Sequence, residues 1–370
     1  MSDQHIGVRR RPARVRLGRV LPIVAGLGVV AWALTLGEPP RAPLAAPSPI
    51  SVVPTWTAPT VDIPGVLADG ATYAPRLYLT PDTSVGVATG ADGTVRVILA
   101  RASGSFTELR RLSAGENPQV NGFAVDGDTL VWMESTTRDG AAPATTLWRT
   151  TWAADTPPTL VTADTGEPIF IGFATDVVVY GGTVSWVSLD PRGSGGMQVR
   201  SVSLGGGPVS VRPLDGEYRL STPPWVVTST AGPGRPITLV NLETNQRIDV
   251  SIEATDVAVC DPVWCRLTVT NGQGLVAIDV MRPDGTDRRR IAGPEATPTI
   301  GDAALLDRYV PLAVDRSDGV GLSIVDLTTG RTHLVATRAT NVAGRGGIVW
   351  WSTGVGPELT WHSLDLDRLP

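Results

Sequence analysis

Residues 237–250 (ITLVNLETNQRIDV) and 322–335 (LSIVDLTTGRTHLV) align without a gap at an offset of 85 residues. Each reads as a strand, an Asn or Asp followed by Leu, a Thr-Asn or Thr-Gly turn, and a second strand. The offset amounts to about two units of 42, a spacing at which repeats signal stacked supersecondary units. A related hairpin lies between them at 276–280, ahead of Pro283-Asp284-Gly285. Others stand upstream at 95–102, 147–152 and 197–204, and downstream at 359–365. Seven hairpins result. Each is preceded by another apolar run, usually with an aromatic, such as Leu130-Val131-Trp132, Val184-Ser185-Trp186, Val263-Trp264 or Ile348-Val349-Trp350-Trp351; the first unit has only Val85-Gly86-Val87 there. Four strands per unit of roughly 40–50 residues is the pattern of propeller blades.

Punctuation and composition agree. From about Tyr73 onward, short runs of Val, Ile, Leu, Thr and Trp alternate with Gly, Asp and Pro, and no window sustains helical periodicity for three turns. The chain holds 41 Gly and 31 Pro, which implies many turns. With 42% hydrophobic and 18% charged residues it is globular rather than disordered. The expected fold is all-β: a seven-bladed β-propeller over residues 67–370, with six or eight blades as the alternatives.

The hairpins resemble those of TolB-type and other WD40-like propellers, whose blades carry strands of the form I-x-x-V-D-L-x-T-G. Leu79-Thr80-Pro81-Asp82 is similar to the Ser-Pro-Asp-Gly turn of that group. The resemblance covers roughly residues 73–370 and implies the fold, not a function. The Gly-His and Trp-Asp signatures of true WD40 repeats are missing, as are repeated kelch double glycines and sialidase Asp boxes.

The N-terminus carries a different signal. Residues 1–19 hold six arginines against Asp3, a net of +5, and residues 20–37 (VLPIVAGLGVVAWALTLG) contain no charge. Eighteen helical residues cover about 27 Å, enough for a bilayer's hydrocarbon core. Arginines before the segment keep the tail in the cytoplasm and send the C-terminal remainder of the chain across the membrane. The expected arrangement is a cytoplasmic tail (1–19), a transmembrane signal-anchor helix (20–37), a Pro-rich extracytoplasmic linker (38–66) and the propeller. The protein would then be a single-pass cell-membrane protein. Secretion after signal-peptide cleavage is the alternative, although Leu44-Ala45-Ala46 makes a poor cleavage site.

No catalytic constellation stands out, and no cofactor or metal is expected. His5 lies in the tail. His333 and His362 fall on predicted strands with no second ligand at metal spacing. Asp126-Gly127-Asp128, Asp92-Gly93 and Asp284-Gly285 fit hairpin turns better than calcium loops. Trp148 and Trp152 read as packing against a neighbouring blade, and Arg288-Arg289-Arg290 as a solvated outer edge. Beyond residue 19 the chain holds 25 arginines against 35 acids, which argues against nucleic acid as a partner.

The loops expected to join one blade to the next contain Glu116, Asp164, Glu167, Asp215, Glu217, Glu253, Asp256 and Glu295, with arginine only in the last of them, at Arg338. They suggest an electronegative ring that steers a cationic ligand or basic partner. The sequence therefore reads as a binding or scaffold protein of the cell envelope with a protein partner. A small-ligand or glycan sensor is the alternative, and a propeller lyase or hydrolase a further one.

The cysteines and the chain ends add two structural expectations. Cys260 and Cys265 should form a disulfide across a tight hairpin in an oxidising compartment. The last unit lacks an outer strand, which a segment within residues 50–66 should supply, joining the two ends of the ring.

Overall fold

The computed structural model describes residues 52–53, 59–138, 142–154, 156–172, 175–192, 196–229, 234–299 and 301–369. Residues 47–370 belong to one compact unit. Seven sheets, six of four strands and that of blade 6 of five, succeed one another along the chain as blades 1 to 7, built on residues 72–112, 119–162, 177–214, 218–250, 256–292, 296–336 and 340–365. Within blades 1 to 6 the four strands of these residues run in sequence order from innermost to outermost, whereas residues 340–365 supply only three strands to blade 7. The fold is the expected seven-bladed propeller.

The hairpin turns explain the sequence repeat. Asp326 accepts hydrogen bonds from the backbone N–H groups of Thr328 (2.8 Å) and Thr329 (3.4 Å), and Asn241 does the same for Glu243 and Thr244. Such side chains close the turn on their own backbone. Gly330 and Asn245, equivalent in the alignment, both adopt left-handed backbone (φ 68° and 59°). The Thr-Gly and Thr-Asn turns therefore share one geometry.

There is no single core. Seven buried apolar clusters each lie between two adjacent blades, from Val85 and Leu99 against Leu130 and Trp132 (blades 1 and 2) to Tyr309 and Ile324 against Trp351 and Leu364 (blades 6 and 7). Both faces of the middle strands are covered, so these read as near-continuous apolar runs. An unpaired seventh seam would expose one whole cluster to water.

Ring closure solves that problem. Val61–Pro64 pairs antiparallel with Thr360–Asp365 and becomes the outermost strand of blade 7, as the missing strand required. Ile63 is fully buried in the blade 7–blade 1 seam beside Tyr73, Trp350 and Trp361. A second strand, Val52–Val53, runs parallel to Arg331–Ala336 and adds a fifth strand to blade 6. Part of the stretch read as a linker is thus built into two blades. Among the described residues no helix is long and apolar enough to cross a membrane; residues 20–37 lie outside them.

Two local readings change. Val263-Trp264 is a turn rather than a strand start, because Asp261 accepts the N–H groups of both residues at 2.7 Å. Arg288-Arg289-Arg290 is no solvated edge. Arg288 reaches the buried Asp256 and Asp279 at 3.0 and 3.1 Å, Arg290 reaches Asp279 at 3.0 Å, and Arg289 donates to Leu327 O. A fully buried Asp279 demands such cations, since an unpaired buried carboxylate is costly.

Candidate functional site: the channel cavity

The inner strands of the blades line the central channel, and alternation decides which side chains face it. In blade 1 (Thr72–Thr80) the accessible positions are Thr72, Ala74 and Arg76, whereas Tyr73, Pro75 and Leu77 are buried. The inner strands of blades 4, 5 and 6 pair in regular register with their neighbours. Those of blades 7, 1 and 2 shift register, and the inner strand of blade 3 (Val177–Tyr180) pairs regularly but follows an irregular approach.

In blade 1 the ladder jumps from Pro75 to Leu77, leaving Arg76 as the extra residue of a bulge. Pro75 has no N–H to lose there. Gly86 stands opposite, where an added Cβ would lie 2.1 Å from Ala74 O and 2.6 Å from Pro75 Cα. Only glycine permits so close a backbone approach. In blade 2 the register breaks between Asn121 and Ala124, around Gly122 (φ 60°) and Phe123. Blade 7 breaks between Thr340 and Ala343, with Asn341 in left-handed backbone (φ 49°). In blade 3, Ile169 donates to Val187 O, but regular pairing resumes only at Val177. Asp176 Oδ2 ties the intervening excursion by accepting from Ile171 N (3.1 Å) and Gly172 N (2.9 Å).

These four irregularities meet around one cavity of about 490 Å³, bounded by Arg76, Asn121, Asp176, Asn341 and Arg345 among apolar and aromatic walls that include Tyr73, Trp350 and Trp361. Bulges re-aim side chains and concentrate beside functional sites. Mostly apolar walls with a few directed polar groups, at this volume, are the usual make-up of a ligand pocket. A smaller cavity of about 130 Å³ between blades 3 and 4, lined by Ile171, Met197, Tyr218 and Arg219, shares Asp176 with it.

The charged groups differ in how far they are committed. Arg345 donates to Phe123 O in blade 2 and Val177 O in blade 3, bracing one side of the ring against the other. Burial pulls its pKa down, as it does for Arg219. Arg266 spends both terminal nitrogens on the carbonyls of Asp302 (3.0 Å) and Thr299 (2.9 Å), with its pKa lowered by burial to about 10. Asp302 is raised by burial despite Arg345, Arg219 and Arg266 nearby. Arg76 alone among the charged wall residues is both exposed and, among the described residues, without a hydrogen-bond or ion-pair partner.

The eight acids named from sequence stand between the fourth strand of one blade and the first of the next, Asp256 as the first residue of its strand, and in a four-stranded antiparallel blade such fourth-to-first connections emerge at the same end. Thr72, Asn121 and Asn341 lie near the starts of their strands, so the cavity opens towards that end. The ring is not bare. Glu116 pairs with Arg138 (2.8 Å), Asp164 with Arg200 (2.5 Å), and Glu253 and Asp256 with Arg288 (3.7 and 3.0 Å). Glu167, Asp215, Glu217 and Glu295 are exposed and carry no ion pair among the described residues. Asp256 is 1% exposed, which makes it a structural ion rather than a surface charge.

Other sequence candidates resolve into packing. Trp148 and Trp152 contribute to the blade 1–blade 2 seam, with the Arg110 guanidinium 3.7 Å above the Trp148 ring. Asp92 and Asp284 close their own turns on Thr94 and Thr286. His362 bridges Asp62 and Thr353, each at 2.7 Å, and so helps to fasten the closing strand. Among the described residues no cluster of His, Cys, Asp and Glu could hold a metal ion. Cys260 and Cys265 stand opposite each other in blade 5, bonded, with Cα atoms 4.1 Å apart. Arg76 went unread because a bulge is not written in periodicity. The available signal was Gly86, in mid-strand where the second strands of blades 2, 3 and 7 carry Trp132, Trp186 and Trp350.

No protein-family model matches the chain, and no curated protein matches it in sequence. Solved structures do. The β-propeller domain of the Trilobed protease from Pyrococcus furiosus, described as having an open velcro topology, is 13% identical over 81% of this chain and 99% of that one, with a TM-score of 0.51. Oligogalacturonate lyase, solved with manganese, is 12% identical over 87% and 97%, at 0.50. TolB from Acinetobacter baumannii aligns over 86% and 70% at 10% identity, with a TM-score of 0.39. At such identities the likeness concerns fold alone. The chain is a seven-bladed β-propeller. Unlike the open velcro domain, it closes its last blade with an N-terminal strand.

Proposed function

We propose that the chain is a membrane-anchored binding protein of the cell envelope, with residues 1–19 cytoplasmic, residues 20–37 spanning the membrane, and the propeller outside the cytoplasm. In this reading it binds an envelope component through the channel cavity. The observation that carries it is the convergence on one cavity of three adjacent inner strands that shift register, in blades 7, 1 and 2, and of the excursion that precedes the inner strand of blade 3, while the inner strands of blades 4, 5 and 6 pair regularly. A ring needing only stability would not break its ladder repeatedly on one side. The charge-free segment behind six arginines supports the topology, and the Cys260–Cys265 bond supports an oxidising compartment.

The test is affinity capture of the full-length chain from membranes, beside Thr72→Trp. Thr72 is exposed and lines the cavity, so an indole there fills the site without entering a core. Proteins bound by the wild type and lost from T72W, at equal expression and equal unfolding midpoint, support the reading. Identical capture by both chains refutes it. C-terminal reporter fusions check topology: activity of a reporter that works only in the cytoplasm would overturn the assignment.

A further inference from the structure

Resting on that reading, we propose that the channel cavity recognises a ligand bearing a single carboxylate, with Arg76 as its anchor. Three observations combine. Arg76 is the bulged residue of blade 1, held at the channel by Pro75 on its own strand and by Gly86 opposite. It has no partner among the described residues, whereas Arg345 is committed to two carbonyls and Asp176 to two backbone N–H groups. The rest of the wall is mainly apolar and aromatic, with Thr72, Asn121 and Asn341 as further polar groups.

An uncommitted guanidinium in such surroundings calls for an acceptor that its planar fork can grip. Carboxylate fits that fork in a bidentate manner, and partial exclusion of water strengthens the pair. The apolar walls take the body of the ligand. Polyanions are disfavoured: the cavity opens on the face that carries Glu167, Asp215, Glu217 and Glu295, which repel a chain of negative charges. One anionic head on a largely apolar body satisfies both constraints. The carboxylate could belong to a peptide C-terminus or to a free organic acid, and the chemistry at Arg76 is common to both.

The experiment uses the full-length chain in detergent and ligand-observed NMR titration with two acid–amide pairs. These are N-acetylphenylalanine with its amide, mimicking a peptide end, and phenylacetate with phenylacetamide. Acids should bind about 10- to 100-fold tighter than their amides, the range set by a charge-assisted bond. Arg76→Gln should abolish that preference, and Arg76→Lys should retain part of it, all at unchanged unfolding midpoint. Preference confined to the N-acetylphenylalanine pair assigns the peptide end; equal preference in both pairs assigns free acids. No preference in the wild type, or preference surviving in R76Q, overturns the proposal. Its failure is separable from that of the binding reading: partner capture that is lost in T72W but unchanged in R76Q leaves the cavity as the binding site and removes only the carboxylate.

Discussion

Truncating Ile63 to alanine tests whether the N-terminal strand is integral to the ring. Ile63 is fully buried in the blade 7–blade 1 seam, and its strand is held by pairing from Val61 with Ser363 to Pro64 with Thr360. The substitution removes three buried carbons, about 2.4 kcal/mol of transfer free energy at about 0.8 kcal/mol each. The wall around the void includes Tyr73, Trp350 and Trp361, large rings that collapse poorly, so a cavity penalty is added. The expected total is about 3–4 kcal/mol, a substantial share of the 5–15 kcal/mol typical of folded proteins. The neighbouring Asp62 provides the control. It is 60% exposed, and its contact with His362 is worth at most about 1 kcal/mol. Urea denaturation of the full chain in detergent, followed by tryptophan fluorescence, measures both. Limited proteolysis should show N-terminal cleavage rising in I63A and not in D62A. If Ile63→Ala costs no more than Asp62→Ala, the strand is dispensable to the ring and closure does not depend on it.

Burial raises the pKa of Asp261 to about 6, despite the two N–H groups it accepts. Its ionisation therefore opposes folding: the wild type loses stability as pH rises from about 4 to about 6, by at most about 3 kcal/mol, and stays level above that. Asp261→Asn keeps an acceptor for the turn, so it should be more stable than wild type at pH 7.5 and equal to it near pH 4; denaturation curves at both values decide. Replacing both cysteines by serine should cost roughly 2 kcal/mol and leave the far-ultraviolet spectrum unchanged, since the bond closes a small loop within one blade. Two free thiols in exported protein under non-reducing mass spectrometry would refute the bond. Asp279→Ala strips a fully buried carboxylate from Arg288 and Arg290 and should cost about 3–5 kcal/mol in the same assay. A loss below about 1 kcal/mol would mean that solvent reaches those guanidinium groups.

Legible and hidden features divide along a physical line. The outer hairpins were legible because their turns are closed by side chains at fixed offsets, as Asn241 and Asp326 show, and because the third strands are buried on both faces. Closure was legible by counting, since residues 340–365 supply only three strands to blade 7. The disulfide came from hairpin geometry, which sets Cys260 opposite Cys265 in either register. The candidate site was not legible. Arg76, Asn121 and Asn341 acquire meaning only when three inner strands, remote in sequence, slip register at one place. The charge of the acidic loops was overcounted. Arg138 and Arg288, in loops, and Arg200, on a strand, pair with half of the acids, and no periodicity ties these arginines to them.

Closure and cavity are one piece of structure. The rings that cover Ile63 from inside are Tyr73, Trp350 and Trp361, and the same three residues line the cavity beside Arg76. Trp361 Nε1 donates to Tyr73 O across the seam at 3.0 Å, so the last blade is stitched to the first at the cavity wall. A ligand held there binds the closed ring and not the open one, and so stabilises closure by RT ln(1 + [L]/Kd), about 2.7 kcal/mol at a hundredfold excess over Kd. The closing strand lies at most a few tens of residues from the segment assigned to the membrane. Tension on such a tether would reach Val52–Val53 in blade 6 first and then Val61–Pro64, the strand whose retention an occupied cavity favours. Protection of this strand from proteolysis should therefore rise with ligand in the wild type. In Thr72→Trp, where the indole already fills the cavity, added ligand should change nothing; equal ligand protection in both chains would separate the cavity from the closure.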